Sequence, residues 1–251
     1  MREIRKEKLS VKIFETRAAM GTAAAKIISD KIIELSKSKD YVNIIFASAP
    51  SQNEFLAELS KLPVDWRRVN AFHMDEYVGI GLDAPQGFGF FLKERLFDKV
   101  SCREVHYLNG LAENLEEECE RYSALLQKYP TDIVCLGIGE NTHLAFNDPH
   151  VADFNDQKIV KVVDLDEACR LQQVNDGCFN TISEVPTHAL TITIPALFKV
   201  HYAYAIVPGP LKANAIYHTI NSEINETYPS TILRKHDNAL LFIDEDSAAK
   251  L

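Results

Sequence analysis

Apolar runs of strand length alternate with amphipathic segments of helix length along almost the whole chain. No other feature restricts its fold as much. Residues 41–48, 69–74, 133–136 and 202–207 read as buried strands, with shorter or alternating ones at 105–108, 159–163, 189–194 and 239–243. Between them the spacing of apolar positions predicts helices at 13–36, 52–61, 90–97, 115–127, 165–174 and 211–220. Ser51 is the expected cap of the second, with Glu54 three residues on completing a capping box. The charged first eleven residues read as extended. Such alternation implies an α/β fold, a doubly wound and mostly parallel sheet with helices on both faces, Rossmann-like in outline. No internal repeat or linker interrupts it, so residues 1–251 are expected to form a single domain.

The formal charge of -9 argues against a nucleic-acid surface, which needs a basic face. It leaves room for a small anion, because a few local donors can hold one against the overall field. No apolar run is long enough to span a bilayer, so no membrane association is expected. The five cysteines form no C-x-x-C pair and mostly fall in apolar runs, as expected of reduced, buried thiols in a cytoplasmic protein.

In an open α/β sheet, ligands bind beyond the carboxyl ends of the strands. Four of the expected strand ends carry polar chemistry: Ser48 and Ser51; Asp75 and Glu76; Asn141, His143 and Asp148; and Lys212. In the third, the glycines of Leu136-Gly-Ile-Gly139 let the backbone turn sharply and approach a ligand. A histidine there, with a carboxylate five residues on, is a candidate proton-transfer pair. His106, His188 and His236 are read as structural, and no set of residues shows metal-ligand spacing. The segment 150–158 is a candidate lid.

Two motifs carry a resemblance. Phe72-His-Met-Asp-Glu-Tyr-Val-Gly79 resembles the F-N-M-D-E-Y segment of glucosamine-6-phosphate deaminases, and Gly137-Ile-Gly-Glu-Asn-Thr-His-Leu-Ala-Phe-Asn-Asp-Pro149 resembles their G-x-G-x-D-G-H-I-A-F-N-E-P. The likeness extends over nearly the whole chain, through Asn109-Gly110 and Val185-Pro186 to about residue 244. The wider family includes 6-phosphogluconolactonases. The resemblance implies ring opening of a hexosamine 6-phosphate, proton transfer from C2 to C1, and loss of the amine as ammonia to leave a ketose 6-phosphate. Glucosamine 6-phosphate is the default substrate and galactosamine 6-phosphate its competitor. Asp75 matches the base that takes the C2 proton, and His143 the residue that moves a proton between the anomeric hydroxyl and the ring oxygen. The implied chemistry needs no metal or cofactor. The only partner it implies is a small sugar phosphate, and association into a homo-oligomer is left open. Two alternatives stand beside it: lactone hydrolysis of the 6-phosphogluconolactonase type, and a non-catalytic sugar-phosphate-binding regulator.

The chain departs from the family pattern at both ends of the implied site. Asn141 and Thr142 replace an aspartate and a glycine before His143, and Asp148 replaces the glutamate. Asn141 can orient His143 but supplies no charge, so Asp148 is expected to provide the carboxylate support. Ser48-Ala49-Pro50-Ser51 stands where relatives carry a T-G-G-T or T-G-S-T phosphate loop, and Pro50 removes an amide donor. Lys212 matches the phosphate-binding lysine. The phosphate-binding arginine falls on Gln173, with Arg170 one helical turn earlier as a candidate substitute.

Overall fold

The computed structural model describes all of residues 1–251. The chain opens on a hairpin of β1 (Arg2–Lys6) and β2 (Leu9–Phe14), paired antiparallel. Thr16 then caps α1 (Arg17–Leu35) by accepting the amide hydrogen of Ala19. The helix therefore starts later than its periodicity suggests, because Ile13 and Phe14 belong to β2. There follow β3 (Val42–Phe46), α2 (Asn53–Leu59), β4 (Val69–His73), β5 (Asp75–Tyr77), α3 (Phe88–Leu92) and β6 (Glu104–His106). The second half comprises α4 (Leu115–Lys128), β7 (Ile133–Leu136), β8 (Val160–Asp164), α5 (Glu167–Asn175), β9 (His188–Ile192), α6 (Ile194–Phe198), β10 (Tyr202–Val207), α7 (Ala213–Asn221) and β11 (Ala239–Asp244). No helix is long and apolar enough to cross a membrane.

Eight strands form the main sheet in the order β1-β2-β11-β10-β7-β3-β4-β6, parallel throughout except for β1. Alternation along each strand divides the core between two faces. Ile45, Val134, Ala205 and Leu241 point toward α4, α6 and α7, whereas Ile44, Cys135, Ile206 and Phe242 point toward α1 and α2. Burial on both faces is why these strands are apolar at nearly every position. From β3 the chain builds outward through β4 to β6. From β7 it builds the other way through β10 to β11. The β3/β7 pair is thus the switch point of the sheet, where a crevice opens at the strands' carboxyl ends.

The single-sheet expectation needs one correction. β5, β9 and β8 form a separate three-stranded antiparallel sheet, with Asp75 opposite Thr191. Asp75 therefore does not end a strand of the main sheet but begins β5, two residues after β4 stops. The capping box at Ser51 is also corrected. Pro50 opens a 3-10 turn, Pro50–Gln52, and α2 follows without a side-chain cap. The Ser51 hydroxyl instead accepts from Gln52 Nε2 at 3.0 Å, and Glu54 pairs with Arg17 at 2.7 Å.

Gly110 seats the turn after β5. A Cβ there would lie 2.1 Å from the carbonyl oxygen of Tyr77 and 2.5 Å from that of Ile80. Both contacts are backbone, so neither can yield by a rotamer change. Gly110→Ala is expected to destabilise the fold by roughly 1–3 kcal/mol through overpacking. An unchanged denaturant midpoint would show that the turn is not held in this way.

Candidate active site

The loops leaving β3, β4, β7 and β10 enclose a cleft with about 480 Å³ of empty space over the switch point. Met74, Phe88, Ala145 and Phe146 supply apolar wall; Ser48, Asp75, His143, Gln173 and Lys212 supply polar groups. Ala49 and Ser51 also line it. β4 and β10 stand three strand intervals apart, so Asp75, just after β4, and Lys212, just after β10, enter the cleft from different sides. That separation lets them address two ends of one small molecule.

Asp75 is 7% exposed. Burial, and then the adjacent Glu76 carboxylate, push its pKa well above the usual carboxylate range. Glu76 has a different task. Its carboxylate accepts the backbone amides of Tyr77 (3.0 Å), Phe88 (3.1 Å) and Gly89 (2.8 Å), tying the first turn of α3 to β5. This contact sets Phe88 against the cleft.

Burial raises the Glu76 pKa from 4.5 to about 7, although the three amides pull the other way. A carboxyl with a raised pKa stabilises the fold fully below its unfolded value and loses that contribution as pH rises through the folded value. The stability of the native chain relative to a Glu76→Gln variant should therefore fall by up to roughly 3 kcal/mol between pH 4.5 and about 7. Urea unfolding across this range measures it. A relative stability that rises with pH would mean that the amides hold Glu76 ionised.

His143 is placed by the turn after β7. Its Nδ1 lies 2.7 Å from Asn141 Oδ1 and 2.9 Å from Asp148 Oδ1, while Asn141 Nδ2 donates to the same Asp148 oxygen at 3.0 Å. Both neighbours of Nδ1 are acceptors, so the proton of a neutral ring belongs there and Nε2 carries the lone pair. Burial raises the Asp148 pKa, but the His143 charge and hydrogen bonds from His143, Asn141 and Cys169 outweigh it and leave the carboxyl below its ordinary value. Asn141 is suited to this arrangement because an amide can accept from His143 and donate to Asp148 at once. Gly139 passes so close that a Cβ would sit 2.2–2.4 Å from the imidazole ring. Thr142 adopts φ 72, a left-handed conformation strained for a β-branched residue.

At the β10 side, Lys212 is 8% exposed and forms no ion pair within the chain. Burial lowers its pKa, against the opposing influence of Asp176, Glu140 and Cys169. The Ser48 hydroxyl is buried without a hydrogen-bond partner. Gln52 Nε2 bridges Ser51 Oγ and the carbonyl of Ile206, each at 3.0 Å, which draws the Ser48–Ser51 loop toward the end of β10.

Two expected ligands stand elsewhere. Pro50 does not line the cleft, and its carbonyl accepts from Arg17. Arg170 is also absent from the lining, because its guanidinium donates to the carbonyls of Ile182 and Val185. Asn141 and Asp148 lie behind His143 rather than on the cleft wall. No residue of 150–158 borders the cleft; residues 156–158 line a second cavity with Leu126 and Lys199.

The sequence reading overlooked Gln172, whose Oε1 accepts the Glu140 amide at 2.8 Å and holds the turn before His143. Its place beside Gln173 was the available signal. His143, Asp148 and Cys169 bring three metal-capable donors within 4.8 Å of one another. The imidazole hydrogen-bonds the carboxylate at 2.9 Å, and burial raises the Cys169 pKa.

Comparison with known proteins agrees with this architecture. Residues 15–242 match the family described as glucosamine-6-phosphate isomerases/6-phosphogluconolactonase. A glucosamine-6-phosphate deaminase of Bacillus cytotoxicus is 32% identical over 239 residues, covering 95% of this chain and 88% of that protein. The solved structure of a monomeric glucosamine-6-phosphate deaminase superposes with a TM-score of 0.88 at 29% identity, covering 96% of this chain and 99% of that one. The 6-phosphogluconolactonase of Thermotoga maritima has the same fold, with a TM-score of 0.78 at 20% identity over 94% of this chain and 100% of that one. A buried acid, a carboxylate-backed histidine and a buried lysine thus meet over the switch point of a sheet shared with these proteins, and the chain belongs to the glucosamine-6-phosphate isomerase/6-phosphogluconolactonase family.

Proposed function

We propose that the protein is a deaminase and isomerase of hexosamine 6-phosphates, converting a 2-amino sugar phosphate and water to a ketose 6-phosphate and ammonia. The observation that carries this reading is the placement of Asp75 and His143 in one cleft with Lys212. A carbon base, a ring-opening acid-base group and an anion anchor are the three parts this reaction needs. His143, with its Nε2 lone pair available, takes the proton of the anomeric hydroxyl and delivers it to the ring oxygen as the C1–ring oxygen bond breaks, and the sugar opens to the aldehyde. Asp75 then removes the C2 proton and returns it to C1. The C2–N bond becomes an imine, which water hydrolyses to the ketone with release of ammonia. The raised pKa of Asp75 makes it a stronger base than an ordinary carboxylate, as proton removal from carbon requires.

Lactone hydrolysis uses no carbon base, so the buried Asp75 favours the deaminase reading over it. The test is ammonia release from glucosamine and galactosamine 6-phosphates, with hydrolysis of 6-phosphogluconolactone followed in parallel. One ammonia and one ketose phosphate per sugar consumed is the expected result. Lactone hydrolysis without ammonia would place the chain in the other branch.

A further inference from the structure

The β10 side of the cleft carries a single positive charge, and we propose that it is matched to a C6 substituent bearing one negative charge: a phosphate bound as its monoanion, or a carboxylate. This inference rests on the hexosamine reading and concerns the far end of the same molecule. Lys212 is the one lysine or arginine among the residues lining the cleft. The arginines nearest in sequence to its walls are committed elsewhere. Arg17 engages Glu54 and the Pro50 carbonyl, and Arg170 engages the carbonyls of Ile182 and Val185. The backbone adds neutral donors only: the amides of Ser48, Ala49, Gly137 and Ile138 line the cleft without a partner in the chain. Pro50 has no N–H, and the Gly209 amide is taken by the Asp244 carboxylate at 3.0 and 3.1 Å.

The other donors are neutral: the unpartnered Ser48 hydroxyl, Ser51, whose oxygen accepts from Gln52 and leaves its own proton free, and the buried Gln173 amide. These can satisfy the oxygens of an anion without adding charge. Acidic groups also bear on the lysine, namely Glu140 from the turn after β7 and Asp176 at the end of α5. A dianion would leave one charge uncompensated in a partly desolvated cleft, where an unpaired charge is costly. Gln173, buried and uncharged in the same cleft, is a position where a second cation would alter that balance.

The test is calorimetric binding of the unreactive 2-amino-2-deoxyglucitol scaffold carrying a phosphate, a carboxylate or a hydroxyl at C6, at pH 8, where free phosphate is dianionic. The native protein should prefer the phosphate over the carboxylate by less than tenfold and bind both at least tenfold more tightly than the hydroxyl compound. Gln173→Arg should tighten phosphate binding about tenfold and carboxylate binding less, since a second cation adds a charge-assisted contact that the dianion can use more fully. A native preference for phosphate of tenfold or more, equal binding of the hydroxyl compound, or weaker phosphate binding by Gln173→Arg would each overturn the proposal. If the variant does not fold, the native order decides alone. Ammonia release from glucosamine 6-phosphate is scored separately. Its absence with the binding order intact would remove the deaminase reading and leave the charge assignment standing.

Discussion

Replacement of Asp75 by asparagine is expected to lower ammonia release from a hexosamine 6-phosphate by roughly a thousandfold, with little change in KM. The amide is nearly isosteric, so the cleft keeps its shape, and β5 keeps its backbone pairing to β9 through Thr191. What is lost is the only carboxylate among the residues lining the cleft. General-base removal of a proton from carbon contributes on the order of 10²–10⁴ to a rate, and the buried position of Asp75 makes it a stronger base than a solvated acid. Glu76 cannot substitute, because its oxygens are occupied by the amides of Tyr77, Phe88 and Gly89. Steady-state kinetics with a check of unchanged melting temperature measures the effect. A variant within tenfold of the native rate would remove Asp75 from the proposed mechanism.

Asp148→Asn should have the second largest effect, a loss of about 10²–10³ in kcat with the fold retained. Asp148 is fully buried and touches no substrate; it acts through His143, 2.9 Å away. Its charge stabilises the imidazolium formed while His143 holds the anomeric proton, and its acceptor fixes the proton of the neutral ring on Nδ1. An asparagine can present an NH₂ group to Nδ1, inverting the tautomer. A fall in kcat with KM and melting temperature unchanged distinguishes this role from packing. Asn141→Asp would not be a gain. It would set a second carboxylate 3.0 Å from the first, and one of the two would be driven to hold a proton. An Asp148→Asn variant with full activity would contradict the assignment.

The main sheet was legible because its central strands are buried on both faces, and runs such as Val42–Phe46 and Tyr202–Val207 therefore carry apolar residues at nearly every position. The small antiparallel sheet was not. β5 is three residues long and follows β4 after a single residue, so one apolar run conceals two strands in different sheets. Residues at strand ends could be placed at one edge of the sheet from connectivity alone, and Ser48, Ser51, Asp75, His143 and Lys212 do line one cleft. Side-chain direction was beyond such reasoning. Arg170 lies one turn before the cleft-lining Gln173 on α5, yet its guanidinium donates to the carbonyls of Ile182 and Val185 instead. Nor does residue order reveal that Asn141 donates to Asp148, a relation that exists only once the turn after β7 has folded.

The central claim is that a carbon-bound hydrogen leaves C2 by way of Asp75 before ammonia is lost. Glucosamine 6-phosphate deuterated at C2 tests it most directly, with ammonia followed by a coupled assay and the label by NMR. Deuterium should leave C2 in step with ammonia and appear at C1 or in solvent, and Asp75→Asn should suppress both events together. Ammonia released while the label stays at C2, or consumption of the sugar by Asp75→Asn at the native rate, would contradict it.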